Sequence, residues 1–186
     1  MSTEASSESA ARREDRRLND LVAVTVVILT VFLAVGKVKD DNIVQAMQKA
    51  QSDAVDAWAE YQSSRIKLHV DENGLTTLRL LESLGNIDKD FAAKQAAQYQ
   101  ADIKKYEARS AETMAKAKAL EGEYNRLNVH DDQFDMSEAF ISIAIALSAV
   151  GALVDSFPLF YIAWGSGALG IIFGMAGFFN LGLHWD

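Results

Sequence analysis

The sequence contains no cysteine. Disulfides, thiolate catalysis and cysteine-ligated zinc or iron–sulfur centres are therefore excluded. A nucleic-acid partner is also not expected, because the formal net charge is -8 and phosphate binding requires clustered Lys and Arg. The one dense basic cluster directly precedes an apolar run, which indicates a membrane interface; it consists of Arg12, Arg13, Arg16 and Arg17.

Motifs of the common enzyme classes are missing as well. The sequence has no nucleophile elbow, P-loop, dinucleotide fingerprint, HExxH or EF-hand pattern. His130-Asp131-Asp132 offers metal-ligand residue types, but a His beside two Asp in a polar linker more often caps a helix or lies in solvent. We therefore expect a protein that is not an enzyme, with no catalytic residue, no cofactor and no metal.

The first apolar run, Leu21–Val35, carries no charge. A helix needs about 20 residues to cross a hydrocarbon core of about 30 Å, and residues 18–38 meet that length. We predict a transmembrane helix there, after a disordered basic tail over 1–17. The alternative is a cleaved signal peptide, with Ala34-Val35-Gly36 as the cleavage site.

Two further apolar runs lie near the end of the chain. They predict a second transmembrane helix over 136–154 and a third over 159–183, joined by a tight loop that contains Pro158. Small residues form a stripe along the third helix: Ala163, Gly167, Gly170, Gly174 and Gly177. A matching series runs along the second helix: Ala144, Ser148 and Ala152. Small residues let membrane helices approach closely. The stripe therefore either packs these two helices together or forms an oligomer interface. A pore lining is less favoured, because these apolar runs lack Lys, Arg, Glu and His.

The polar middle of the chain, 39–135, predicts a long extramembrane hairpin of two antiparallel helices. Apolar residues recur at alternating spacings of three and four, which is typical of a coiled coil. The outgoing series is Val44, Met47, Ala54, Trp58, Tyr61 and Leu68, with Gln51 and Arg65 in polar slots, and the returning series is Tyr99, Ile103, Tyr106, Ser110, Thr113, Ala117, Leu120, Tyr124 and Leu127.

Turn signals divide this middle region. Asn73-Gly74 predicts a helix break, with a short helix over 75–84 behind it. Gly85 is expected to end that short helix, and Asp88 is expected to cap the next.

One face of the outgoing helix combines aromatic and polar side chains: Trp58, Tyr61, Gln62, Arg65 and His69. They form either a partner-binding face or, for the two aromatics, part of the seam with the returning helix.

The segment Gln51–Val70, QSDAVDAWAEYQSSRIKLHV, resembles a bacterial membrane-protein family of unknown function, DUF4337. The likeness rests on a Trp-x-x-Tyr-Gln segment followed by Lys and His, here Trp58, Tyr61, Gln62, Lys67 and His69. The stretch Ile141–Ala149 is also similar. The resemblance implies the order of one span, a hairpin and two closing spans, and it implies no activity.

Orientation follows from the basic residues. The four arginines favour a cytoplasmic N-terminus, and lysines that lead into a long loop count less in the positive-inside rule. The hairpin is then expected outside the inner membrane, in the periplasm of a Gram-negative cell. We thus expect an all-α, multi-pass membrane protein that forms homo-oligomers and presents its coiled-coil hairpin for docking of an envelope partner. The alternative is an oligomeric channel or a transport-associated protein.

Overall fold

Three long helices make up the chain in a computed structural model. It describes residues 16–85, 87–179 and 181, and the helical backbone of 2–15. The helices are α1 (Ser2–Ser83), α2 (Lys89–Leu153) and α3 (Phe157–Phe178). No strand occurs in these described residues. The described chain is therefore all-α, as predicted.

The loop between α1 and α2 has the predicted chemistry. Gly85 adopts φ of 71°, a left-handed conformation that glycine accepts without strain and that commonly ends a helix. Asp88 Oδ1 accepts a hydrogen bond of 2.9 Å from the backbone N–H of Phe91, so Asp88 caps α2. Both predictions are confirmed. The loop before α3, residues 154–156, is shorter still. The prediction that this loop contains Pro158 is wrong, because Pro158 lies in the first turn of α3, where its missing N–H has no helical partner to lose.

The predicted break at Asn73-Gly74 is wrong. α1 continues through it to Ser83, and the ring of Tyr99 covers Gly74. Gly74 provides room for the side chain of Tyr99 on another helix. The local sequence around Asn73-Gly74 cannot reveal that contact.

The two ends of the chain also differ from the expected limits. α1 begins at Ser2, whereas the sequence predicts disorder over 1–17; the Ala, Glu and Arg residues there favour a helix. α3 ends at Phe178, and the last residues of the predicted span 159–183 lie partly outside the described residues.

The chain divides into two compact units. One consists of Met1–Ala46 and Arg126–Asp186, and the other of Met47–Asn125. We call the first unit the bundle and the second the helix pair.

The bundle contains the apolar segments of all three helices. Each helix has a stretch long and apolar enough to cross a membrane. Two buried clusters form its core: Leu18, Val22 and Phe160, and Leu29, Ile141 and Ala144. Each cluster joins α1 to a later helix, because α1 places its buried residues three to four positions apart on one side.

The helix pair is held by a seam of mostly small side chains. The buried positions on α1 are Met47, Ala50, Ala54, Ala57, Ser64, Leu68, Leu75 and Leu78, and those on α2 are Ala92, Ser110, Thr113 and Ala117. The predicted series is correct at Met47, Ala54 and Leu68. At Trp58 and at the polar slot Arg65 the predicted series is wrong by one residue, because the buried residues there are Ala57 and Ser64. Small residues permit close approach of the helices, so the larger neighbours flank the seam.

Candidate functional site

The predicted small-residue stripe lies inside the bundle. All five of its α3 residues are buried. On α2, Ala144 and Ser148 are also fully buried, whereas Ala152 is half-buried. The structure therefore brings both series together within one chain.

The glycines of α3 are sites of very close approach. A Cβ on Gly170 would lie 2.6 Å from Ile141 Cγ1 and 3.0 Å from the carbonyl oxygen of Ser137. On Gly174 it would lie 2.6 Å from Phe32 Cε1. Ser137 Oγ donates a hydrogen bond of 2.8 Å to the carbonyl oxygen of Gly170. Because α1 and α2 cover this stripe, a contact between copies would have to use another surface.

The predicted partner face on α1 is only partly available. Trp58 and Tyr61 are half-buried, and their rings make an edge-on contact at 5.5 Å. Trp58 Nε1 donates a hydrogen bond of 2.8 Å to Glu121 Oε1 on α2. Trp58 therefore flanks the seam and links the two helices, and Tyr61 packs beside it on α1.

The rest of that face is more open to solvent. Gln62 and His69 are exposed, and Arg65 is half-buried. Arg65 Nη2 lies 3.4 Å from His69 Nε2, and His69 Nδ1 lies 2.9 Å from Glu72 Oε2. Neighbouring turns of the same helix thus supply the contacts of His69.

An apolar stripe that sequence reasoning missed runs along the outer side of α1. Val55, Ile66 and Val70 are each more than half exposed, Ile66 by 64%. With Ala59 and Gln62 they recur every three or four residues, so they share one helix face. The signal was in the sequence as a second periodic series, parallel to the seam.

A buried carboxylate in the bundle was also missed. Asp40 on α1 is only 3% exposed. Lys37 Nζ donates a hydrogen bond of 2.9 Å to Asp40 Oδ2, and it lies 3.6 Å from Glu138 Oε2 on α2. These residues lie beside the ends of the predicted spans 18–38 and 136–154.

Acidic residues of α2 surround Asp40. Burial, followed by a hydrogen bond and charge repulsion from Asp40, raises the pKa of Asp131 to about 6. Burial and the Asp40 charge also raise the pKa of Asp135. No group of three or more His, Asp or Glu among the described residues is arranged to hold a metal, and His130 Nδ1 instead lies 3.4 Å from Gln133 Oε1.

Comparison with known proteins now places the chain. The model of a family described as a domain of unknown function, DUF4337, matches residues 18–180. The chain belongs to the DUF4337 family. No curated protein and no solved structure matches the chain. The DUF4337 match includes the complete helix pair, the small-residue stripe and the carboxylates around Asp40, and the family description attaches no activity to any of them.

Proposed function

We propose that this DUF4337 protein is a membrane-anchored, non-enzymatic scaffold. The apolar helix segments of the bundle lie in the lipid bilayer, and the helix pair is an antiparallel coiled coil that docks a helix of a protein partner. The observation that carries this proposal is the contrast between the surfaces of the two units. We further propose that the protein is an oligomer of the inner membrane, with its N-terminus in the cytoplasm and the helix pair in the periplasm.

The outer surface of the bundle supports the anchor. Large apolar side chains on all three helices are half-exposed or more, among them Val27, Val31, Ile143, Ile162 and Ile172. Water would solvate such a continuous apolar surface poorly, whereas hydrocarbon covers it without penalty. Trp164 Nε1 donates a hydrogen bond of 3.0 Å to Thr25 Oγ1, so its polar group has a partner at this apolar surface.

The outer stripe of the helix pair supports docking. Ile66 and Val70 present apolar surface that the seam does not use. A partner helix with its own apolar stripe would bury Ile66 and Val70, as an amphipathic helix does when its apolar face packs on an apolar surface. The exposed Gln62 lies on the same helix face, one turn before Ile66, and can supply a polar contact within the stripe.

Single-cysteine labelling in intact cells tests the anchor and its orientation. Ser63→Cys places a thiol on the exposed side of the helix pair, and Ser64→Cys is the matched control because Ser64 is only 5% exposed. With a membrane-impermeant maleimide we expect rapid labelling at residue 63 and slow labelling at residue 64. Labelling at residue 63 only after lysis would contradict the orientation, and recovery of the protein in the soluble fraction would contradict the anchor.

A photo-crosslinking amino acid at position 66 tests docking. We expect an adduct with another polypeptide from Ile66 and none from Ala119, an exposed position on α2. An adduct that contains only a second copy would assign the stripe to the oligomer and exclude docking of a different protein there. No adduct from position 66 would contradict docking.

Size-exclusion chromatography with light scattering in detergent tests the oligomer, and a strict monomer at all concentrations would contradict it.

A further inference from the structure

We propose that Asp40 and Asp131 form a proton-binding pair, in which one proton is shared between the two carboxyl groups at mildly acidic pH. The pair lies within the bundle and joins α1 to α2. The proposal is independent of the scaffold function, since it concerns only what binds at these two side chains.

The hydrogen bonds of Asp40 supply the first argument. One oxygen, Oδ2, accepts from Lys37. The other, Oδ1, is buried and has no hydrogen-bond donor among the described residues. A buried acceptor without a donor is destabilising, and the described side chains in their ordinary charge states supply no donor to this oxygen.

The position of Asp131 supplies that donor. Burial, and after it a side-chain hydrogen bond with Asp40, raise the pKa of Asp131, so the two carboxyl groups interact directly. Two ionised carboxylates only accept hydrogen bonds, whereas a protonated carboxyl group donates one. A proton on Asp131 therefore converts a repulsive contact into a hydrogen bond to Asp40, in the manner of paired carboxylates that ionise in two steps.

The charged surroundings favour uptake of that proton. On α1 the pair faces Lys37 and the exposed Asp41, and on α2 it faces Asp132, Asp135 and Glu138. His130, next to Asp131, is directed to Gln133. The described part of α3 and its C-terminal end, 157–179 and 181, contains no Asp, Glu, Lys, Arg or His. Lys37 therefore lies against three carboxylates, those of Asp40, Asp41 and Glu138.

Solvent access around Asp40 is small. A cleft of about 10 Å³ lies beside Asp40 and Lys37, with Phe32, Leu33 and Phe134 among its walls. That volume is about the minimum that one water molecule requires. Bulk water therefore screens Asp40 weakly, whereas Asp131 is half-buried. A proton on Asp131 would reduce the negative charge that faces Asp40.

Isotope-edited infrared spectroscopy tests the pair. The full chain is labelled with side-chain ¹³C-aspartate, placed in lipid nanodiscs, and titrated from about pH 8 to about pH 4, where an ordinary aspartate has a pKa near 3.9. We expect a protonated-aspartate carbonyl band with a midpoint near pH 6, the pKa of Asp131. Asp131→Asn should remove this band. Asp40→Asn should lower its midpoint by at least one pH unit, a tenfold loss of proton affinity.

Asp41→Asn is the matched control, because Asp41 is the exposed neighbour of Asp40. It should leave the midpoint within a few tenths of a unit. Circular dichroism checks that each variant retains the wild-type helix content. The proposal is overturned if wild-type protein shows no protonated aspartate above about pH 5, or if Asp40→Asn and Asp41→Asn have equal effects. It is also overturned if millimolar Na⁺, Mg²⁺ or Ca²⁺ removes the band near pH 5.5, since the pair would then be a cation site.

Discussion

The ring of Tyr99 lies against Gly74, and its Cζ atom is 2.8 Å from the position that a β-carbon on residue 74 would take. A glycine near the C-terminal end of α1 therefore lets the two helices of the helix pair approach each other. Because the atoms in contact belong to the far end of a half-buried side chain, the ring can shift to admit a methyl group.

This contact predicts different effects for two glycines of the helix pair. Gly122→Ala places its methyl group where no described atom lies within 4 Å, so it should stabilise the protein by up to about 1 kcal/mol through helix propensity. Gly74→Ala should gain clearly less, because it displaces Tyr99. Chemical denaturation followed by circular dichroism measures both, and an equal gain for the two variants would contradict the close contact.

The bundle predicts a sharper penalty. Gly170→Ala directs a methyl group at Ile141 and at backbone atoms of α2, which cannot move aside easily. We expect it to destabilise the protein by about 1–3 kcal/mol. Gly165→Ala, which meets no described atom within 4 Å, is the control and should be neutral or stabilising. Thermal unfolding in detergent compares them.

The position of the seam is testable with two aliphatic residues on α1. Leu68 is 2% exposed and Ile66 is 64% exposed. Leu68→Ala should destabilise the protein by about 2–5 kcal/mol, whereas Ile66→Ala should change its stability by less than about 0.5 kcal/mol. Urea unfolding of the full chain distinguishes the two, and the opposite order would place the seam on the other side of α1.

Stability should also depend on pH through Asp131. Its pKa is raised from 3.8 to about 6, so the folded chain binds this proton more tightly than the unfolded chain does. The stabilisation is therefore fully present below about pH 4, decreases as the pH rises through about 6, and is absent above it. We expect a lower melting temperature at pH 7.5 than at pH 5.

In Asp131→Asn this difference should shrink, because the substituted side chain does not titrate. Asp41→Asn should keep the wild-type difference. A melting temperature of wild-type protein that rises between pH 5 and pH 7.5, with no change in the slope on Asp131→Asn, would contradict the assignment.

The sequence predicted the fold well where the signal is local. Gly85 and Asp88 define the loop between α1 and α2 through their own backbone chemistry, so the residue types suffice. The three apolar runs likewise predict helices of sufficient length without knowledge of their neighbours. Membrane crossing, the oligomer and the orientation of the chain stay predictions.

The sequence failed where the reason for a residue lies on another helix. Asn73-Gly74 predicts a turn, and the contact of Gly74 with Tyr99 becomes apparent only in the folded structure. The spacing of three and four residues assigned Trp58 to the seam, whereas the neighbouring Ala57 is buried there. Asp40 and Asp131 are separated by about ninety residues of sequence, and no periodic pattern connects two isolated carboxylates that meet only after folding.

The seam of small side chains has a consequence for how the family can vary. In a core of leucines, substitution by a smaller residue leaves a cavity, and enlargement is the rarer problem. Around Ala54, Ala57 and Ala117 enlargement is the commoner problem, because little volume can be removed and any added branch separates the two helices. Neutral drift along α1 should therefore be narrow at these positions, where alanine, glycine and serine exchange for one another but not for larger residues.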